Sequence, residues 1–88
     1  MEVRGAPDLI VEILSPSNPE WDRENKRKLY AKYGVREYWI ADPGADSIET
    51  LSLTDAGLQT VRVFTRGTHL RSLVLPELSF LIDSVFTR

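Results

Sequence analysis

Three features of the 88-residue sequence predict an α/β fold, a mixed sheet with one main helix after the first strand. Residues 7–14 form a β-rich run that stops at Ser15-Pro16-Ser17-Asn18-Pro19, a dense turn signal. The following segment carries helix punctuation at both ends. Glu37-Tyr38-Trp39-Ile40-Ala41 then returns as a second, largely apolar strand, closed by the turn formers Asp42-Pro43-Gly44-Ala45-Asp46. No Pro/Gly/Ser-rich linker interrupts the order strand, helix, strand, hairpin, tail, so residues 1–88 read as a single domain.

In the first strand the period-2 split is informative. Leu9, Val11 and Ile13 make one apolar face; Asp8, Ile10, Glu12 and Leu14 make the other, apolar except for its two carboxylates. A strand apolar on both faces belongs in the middle of a covered sheet. For the helix, Ser17 or Asn18 supplies a cap and Pro19 suits the first turn. Glu20 and Asp22 favour the positive end of the dipole, and Ser17 with Glu20 fits a capping box. Gly34 ends the helix in the left-handed region. Trp21, Leu29 and Tyr33, with Asn25 between, recur at spacing four and are expected to pack on the sheet, with Lys26 and Tyr30 on an adjacent stripe.

Residues 47–53 and 59–65 read as a hairpin around Thr54-Asp55-Ala56-Gly57. The alternation of Ile48, Thr50 and Ser52 against Glu49, Leu51 and Leu53 points to a partly exposed sheet edge. A short strand near His69-Leu70 and an apolar closing segment over residues 73–86, broken by Pro76, complete the chain.

Composition narrows the class. An apolar content of 42% and a charged content of 27% are those of an ordinary globular protein. The absence of cysteine excludes both a disulfide framework and a thiolate zinc site. No apolar run approaches the ~20 residues of a membrane span, and Met-Glu-Val-Arg-Gly lacks the apolar stretch of a signal peptide. The expected setting is cytoplasmic, with no membrane partner. A net charge of −2 argues against coating nucleic acid by bulk electrostatics. Arg23, Lys26, Arg27, Lys28 and Lys32 nevertheless crowd the helix. They read either as a solvated face laced with acid–base pairs or as a surface turned to phosphate.

Glu12 is the residue that folding alone does not explain. A carboxylate in a covered strand loses hydration, at a cost of several kcal/mol unless it is paired, protonated or metal-bound. It is either a structural partner for a helix lysine or a metal ligand or general base on a rigid element. Lys26 is its natural partner, because the helix returns across the sheet face. In phosphodiester chemistry such a lysine orients the attacking water or stabilises phosphate charge; otherwise it is a surface lysine. Asp8 shares the face of Glu12 but stands about 13 Å along the strand, too far to share a cation whose ligand bonds are about 2.0–2.6 Å. Asp22, Asp42 and Asp46 read as helix-start and turn carboxylates, and His69 as a lone surface histidine. The glycines are dispersed, without phosphate-loop spacing, and no Ser-His-Asp set is present.

Gly5-Ala6-Pro7-Asp8-Leu9-Ile10-Val11-Glu12-Ile13-Leu14-Ser15-Pro16-Ser17, followed by Asp22, Lys26 and Tyr30 and then by Gly34-Val35-Arg36-Glu37-Tyr38-Trp39-Ile40-Ala41-Asp42-Pro43, closely resembles the Uma family of bacterial restriction-endonuclease-like proteins. That family belongs to the PD-(D/E)XK nuclease superfamily. Leu73-Val74-Leu75-Pro76-Glu77-Leu78 is similar to its closing segment.

The resemblance implies a partial restriction-endonuclease-like core and Mg²⁺-dependent cleavage of DNA. Glu12 matches the second acidic residue of the motif, a metal ligand. The motif lysine is absent two residues later, where Leu14 stands, and Lys26 matches its place on the helix. In the family the first motif carboxylate lies on an upstream strand, which nothing in this chain matches. The expectation is therefore the C-terminal half of the domain, a fragment or a truncated relative, binding Mg²⁺ weakly. It would be incomplete or inactive alone, and would work with a second copy or a missing N-terminal segment. Competing readings are a catalytically dead interaction or regulatory module, and a small ligand-binding domain in which Glu12 and Lys26 are a structural pair.

Overall fold

The computed structural model describes residues 7–17 and 20–87. The elements run β1 (Leu9–Ile13), α1 (Glu20–Lys32), β2 (Glu37–Asp42), β3 (Ser47–Thr54), β4 (Gly57–Phe64), β5 (His69–Arg71), β6 (Ser79–Leu81) and a short 3₁₀ turn (Ile82–Ser84). The first four strands form one sheet in the order β1-β2-β3-β4, and β5 and β6 form a separate hairpin. β1 and β2 are parallel, as a strand–helix–strand crossover requires, and the other pairs are antiparallel. This is the mixed α/β sheet with one helix after the first strand that the sequence predicts.

The register sorts the side chains into two layers. Tyr38 lies beside Leu51 and Ile10, on the face turned to α1. There Tyr38, Ile40, Leu51 and Leu58 make a core against which Ile10, Leu14, Tyr30 and Ala31 pack. On the opposite face Trp39, Ala41, Ile48 and Phe64 meet Leu70, Ile82 and Phe86 from the hairpin and tail. The sheet is thus sandwiched between a helix and a small hairpin layer.

Three expectations change. The covered strand is β2, buried along nearly its whole length, whereas β1 is the edge of the sheet among the described residues. Val11 is 49% and Ile13 70% exposed, because the core on the hairpin side is built on β2, β3 and β4 and takes in only Leu9 of β1. The hairpin of β3 and β4 does close one end of the sheet, but only β4 is an edge, and β3 is an interior strand with Ile48, Thr50 and Leu51 buried. The helix also turns a different side to the sheet. Trp21, Leu29 and Tyr33 are 67%, 48% and 65% exposed, while Tyr30 and Ala31 face the core. At 3.6 residues per turn a strict spacing of four advances about 40° at each step, so that row winds off any one face of the helix.

The punctuation works locally. Gly34 adopts φ 81°, with its N–H donated to the Ala31 carbonyl at 3.1 Å and the Val35 N–H to the Tyr30 carbonyl at 3.0 Å, a paired C-terminal closure. The expected cap at Asn18 and first-turn Pro19, and the Gly5-Ala6 portion of the motif, lie outside the described residues. The hydroxyl of Ser17 lies 3.0 Å from that of Ser15. No helix among the described residues is long and apolar enough to cross a membrane.

Candidate active site

The crossover brings α1 back over the sheet and delivers Lys26 to Glu12. The Lys26 Nζ donates to Glu12 Oε1, and both side chains are partly buried, 33% and 19% exposed. Period 2 places Glu12 on the helix-facing side of β1, where its neighbour on β2 is Ile40. Asp22, one turn before Lys26, lies 3.4 Å from the same ammonium. It was expected only as a helix-start carboxylate, and the i,i+4 spacing is the signal for its second role. The hydrogen bond from Lys26 to Glu12 holds the ammonium well above its ordinary pKa of 10.5 against partial desolvation, and the charges of Glu12 and Asp22 add to it. Lys26 is therefore a fixed cation at physiological pH. It can donate hydrogen bonds and neutralise an anion, but it cannot act as a general base.

Two phenols stand behind the pair. Tyr30 lies one turn beyond Lys26, and its ring meets Tyr38 edge-on, 5.2 Å between centroids at 74°. Burial, and then the charge of Glu12, raise the Tyr30 phenol above its ordinary 10.0. The same two causes push Tyr38 up to about 12.

Asp8, Asp42 and Asp46 are occupied elsewhere. Asp8 meets Arg36 at 3.4 Å on the exposed rim, Asp42 accepts the Gly44 N–H at 3.0 Å within its turn, and Asp46 accepts from Arg66 Nε at 2.8 Å. The His69 Nε2 pairs with Ser79 Oγ across the small hairpin at 2.5 Å. Along the helix, Arg27 is bound to Glu24 and to the Leu58 carbonyl.

Glu37 was missed. It is 1% exposed, yet its carboxylate accepts four hydrogen bonds: from Trp39 Nε1 at 3.0 Å, Ser72 Oγ at 2.5 Å, and the N–H groups of Leu73 at 3.2 Å and Val74 at 3.3 Å. It clasps the 72–74 turn to the central strand and has no link to Glu12. A carboxylate opening an otherwise apolar strand, two residues before a tryptophan, was the available signal.

No three metal-binding side chains converge among the described residues. Glu12 offers one carboxylate, and Asp22 shares the ammonium already bonded to it. Mg²⁺ demands near-octahedral oxygen coordination, usually with one or two carboxylates besides waters and phosphate. The described residues do not make up such a site by themselves.

A mixed sheet with one helix after its first strand, a lysine of that helix held against a strand carboxylate, makes this an α/β unit with one candidate charged site. The chain belongs to the Uma2 family, described as putative restriction endonuclease, whose profile matches residues 2–83. Its fold is similar to the crystal structure of a putative nuclease belonging to DUF820 from Anabaena variabilis ATCC 29413. The TM-score is 0.76 at 24% identity, covering 93% of this chain and 45% of that one, so the chain spans less than half the length of that protein. No curated protein matches the chain.

Proposed function

We propose that Glu12 and Lys26 are the catalytic pair contributed by this chain to a metal-dependent DNA phosphodiesterase site. The contact between the Lys26 ammonium and the Glu12 carboxylate, in a chain of this family, carries the reading. Glu12 is one anionic ligand for the divalent cation that the restriction-endonuclease-like class uses, Mg²⁺ being the natural candidate. Lys26 holds a permanent positive charge where the scissile phosphate or attacking water is to be oriented. Among the described residues Glu12 provides part of a cation site, and further ligands would complete it.

The 88-residue chain alone is therefore expected to show no Mg²⁺-dependent cleavage of plasmid or single-stranded DNA above background. The chain joined to the segment of the Anabaena protein that it does not match is expected to cut DNA. Glu12→Ala and Lys26→Ala should each reduce that cutting by about 10²-fold or more. Robust cleavage by the purified 88-residue chain, abolished by Glu12→Ala, would overturn the idea of a partial site. A folded chimera that cuts equally well with Glu12→Ala would remove the catalytic assignment. A folded chimera that cuts nothing would favour an interaction or regulatory module, a reading favoured also by the apolar faces of β1 and α1 left exposed.

A further inference from the structure

The basic residues of α1 fall into two groups in the structure. Lys26 is shared by Glu12 and Asp22, and Arg27 is bound to Glu24. Lys28 and Lys32 are exposed and form no ion pair among the described residues. They stand one turn apart, on the flank of α1 turned away from Lys26. Exposed lysines by themselves mark only a solvated surface. What sets Lys28 apart is a groove of about 230 Å³ between α1 and the turn from β3 to β4. Arg27 and Lys28 line it from the helix and Gln59 from β4. Space is left there because Ala31, Ala56 and Gly57 are small; a Cβ added to Gly57 would stand 3.9 Å from the Ala31 Cβ.

The sign of the groove is local. Among the described residues no carboxylate lines it, although Asp and Glu outnumber Lys and Arg in the chain by 13 to 11. Arg27 is also held in place: its Nη1 donates to the Leu58 carbonyl at 3.2 Å and its Nη2 to Glu24. A cation fixed by two bonds loses little freedom on meeting an anion. Glu24 offsets part of its charge, and Lys28 supplies an uncompensated one. Gln59 adds an amide, whose Nε2 donates to the Ala56 carbonyl at 3.3 Å. One fixed guanidinium, one mobile ammonium and no competing carboxylate suit a group with dispersed negative charge and several acceptor oxygens, which is a phosphate.

We propose that this groove holds a backbone phosphate of duplex DNA, with Arg27 and Lys28 as its cationic contacts and Lys32 continuing the track along α1. The inference rests on the reading of the chain as part of a DNA phosphodiesterase, and it adds an anchoring contact away from the chemistry. Glu12 is on β1 and Leu58 on β4, three strand spacings of ~4.8 Å or about 14 Å apart across the sheet. That span is about four base pairs at ~3.4 Å each, so the phosphate in the groove is not the one being cut.

Fluorescence anisotropy of a short labelled duplex, titrated with the 88-residue chain without Mg²⁺ at several salt concentrations, reads binding apart from cleavage. Lys28→Ala should lower the slope of log affinity against log salt by about one. Lys28→Glu and Gln59→Glu each place a carboxylate in the groove and should weaken binding about tenfold or more. Arg71→Glu, on β5 across the sheet from α1, changes the net charge as Lys28→Glu does and should weaken binding about twofold at most. All three positions are exposed, and circular dichroism checks that each variant is folded. Equal losses in Lys28→Glu and Arg71→Glu would assign binding to bulk charge and overturn the proposal. A parent chain that binds no duplex, or binding indifferent to Lys28→Glu and Gln59→Glu, would overturn it as well. A chain that binds through the groove in a chimera that does not cut would count against the catalytic pair alone.

Discussion

Glu37→Ala is expected to destabilise the protein by about 3–5 kcal/mol, because it leaves buried donors without an acceptor at about 1–3 kcal/mol for each such group. The Trp39 indole N–H and Ser72 hydroxyl belong to residues only 3% and 2% exposed, so water cannot replace the carboxylate. The N–H groups of Leu73 and Val74 lose their acceptor in the same step. For a domain whose total stability is about 5–15 kcal/mol, such a loss leaves the folded state marginal. Urea unfolding followed by tryptophan fluorescence measures it, and a loss below about 1 kcal/mol would show that the clasp contributes little.

The same carboxylate sets a pH dependence of definite sign. Burial pushes the Glu37 carboxyl up, but the bonds from Ser72, Trp39, Leu73 and Val74 outweigh it and hold the group below its ordinary 4.5. A depressed folded-state value means that the stabilisation is complete above the ordinary glutamate range and is lost as pH falls through the folded value. Stability should therefore decline on acidification below about pH 4.5, and Glu37→Gln, less stable at neutral pH, should show a flatter acid limb.

Self-association is the second large expected effect. The Leu14 N–H donates to Ala41 and the Asp8 carbonyl accepts from Glu37, so the even-numbered residues of β1 turn their amides to β2. The amides of Leu9, Val11 and Ile13 then point away from it, and no described strand pairs with that edge. Val11 and Ile13 of the same strand are exposed, and elsewhere α1 exposes Trp21, Leu29 and Tyr33. An unpaired strand edge beside apolar surface is a template for strand addition. Sedimentation of the 88-residue chain at high concentration is expected to give about twice the monomer mass or more, the commonest closed assembly being a twofold dimer. Ile13→Lys should shift the population back to monomer, since a lysine on an edge opposes pairing. A well-folded parent that stays monomeric at high concentration would contradict this.

The exposure of β1 and the burial of β2 show where reading from sequence stops. Alternation places Glu12 on one face with Ile10 and Leu14, and that placement holds because the side-chain period of a strand is a local property. Whether such a strand is central or marginal depends on its neighbours, and apolar residues on both faces of β1 do not count them. The helix gives the same lesson. Its limits and its closure at Gly34 follow from local chemistry, whereas its inward side was set by packing of Tyr30 and Ala31 against the cluster that holds Leu51 and Leu58, residues twenty or more positions away. The Glu12–Lys26 contact was legible because a carboxylate in an apolar strand needs a partner and the crossover brings the helix back over it. Glu37 was hidden because its four donors come from Trp39 and from a turn some 35 residues downstream.

The sequence alone determined the fold class, the order of elements, the family and the pairing of Glu12 with Lys26. Each of these rests on short-range pattern: period 2, helix punctuation, turn formers and motif spacing. Only the tertiary structure decided which strand is buried, which side of α1 faces the sheet, that Asp22 joins Glu12 at the Lys26 ammonium, and that Glu37 is a structural clasp. Burial and hydrogen-bond partnership are properties of segments brought together across the chain, and no local pattern encodes them.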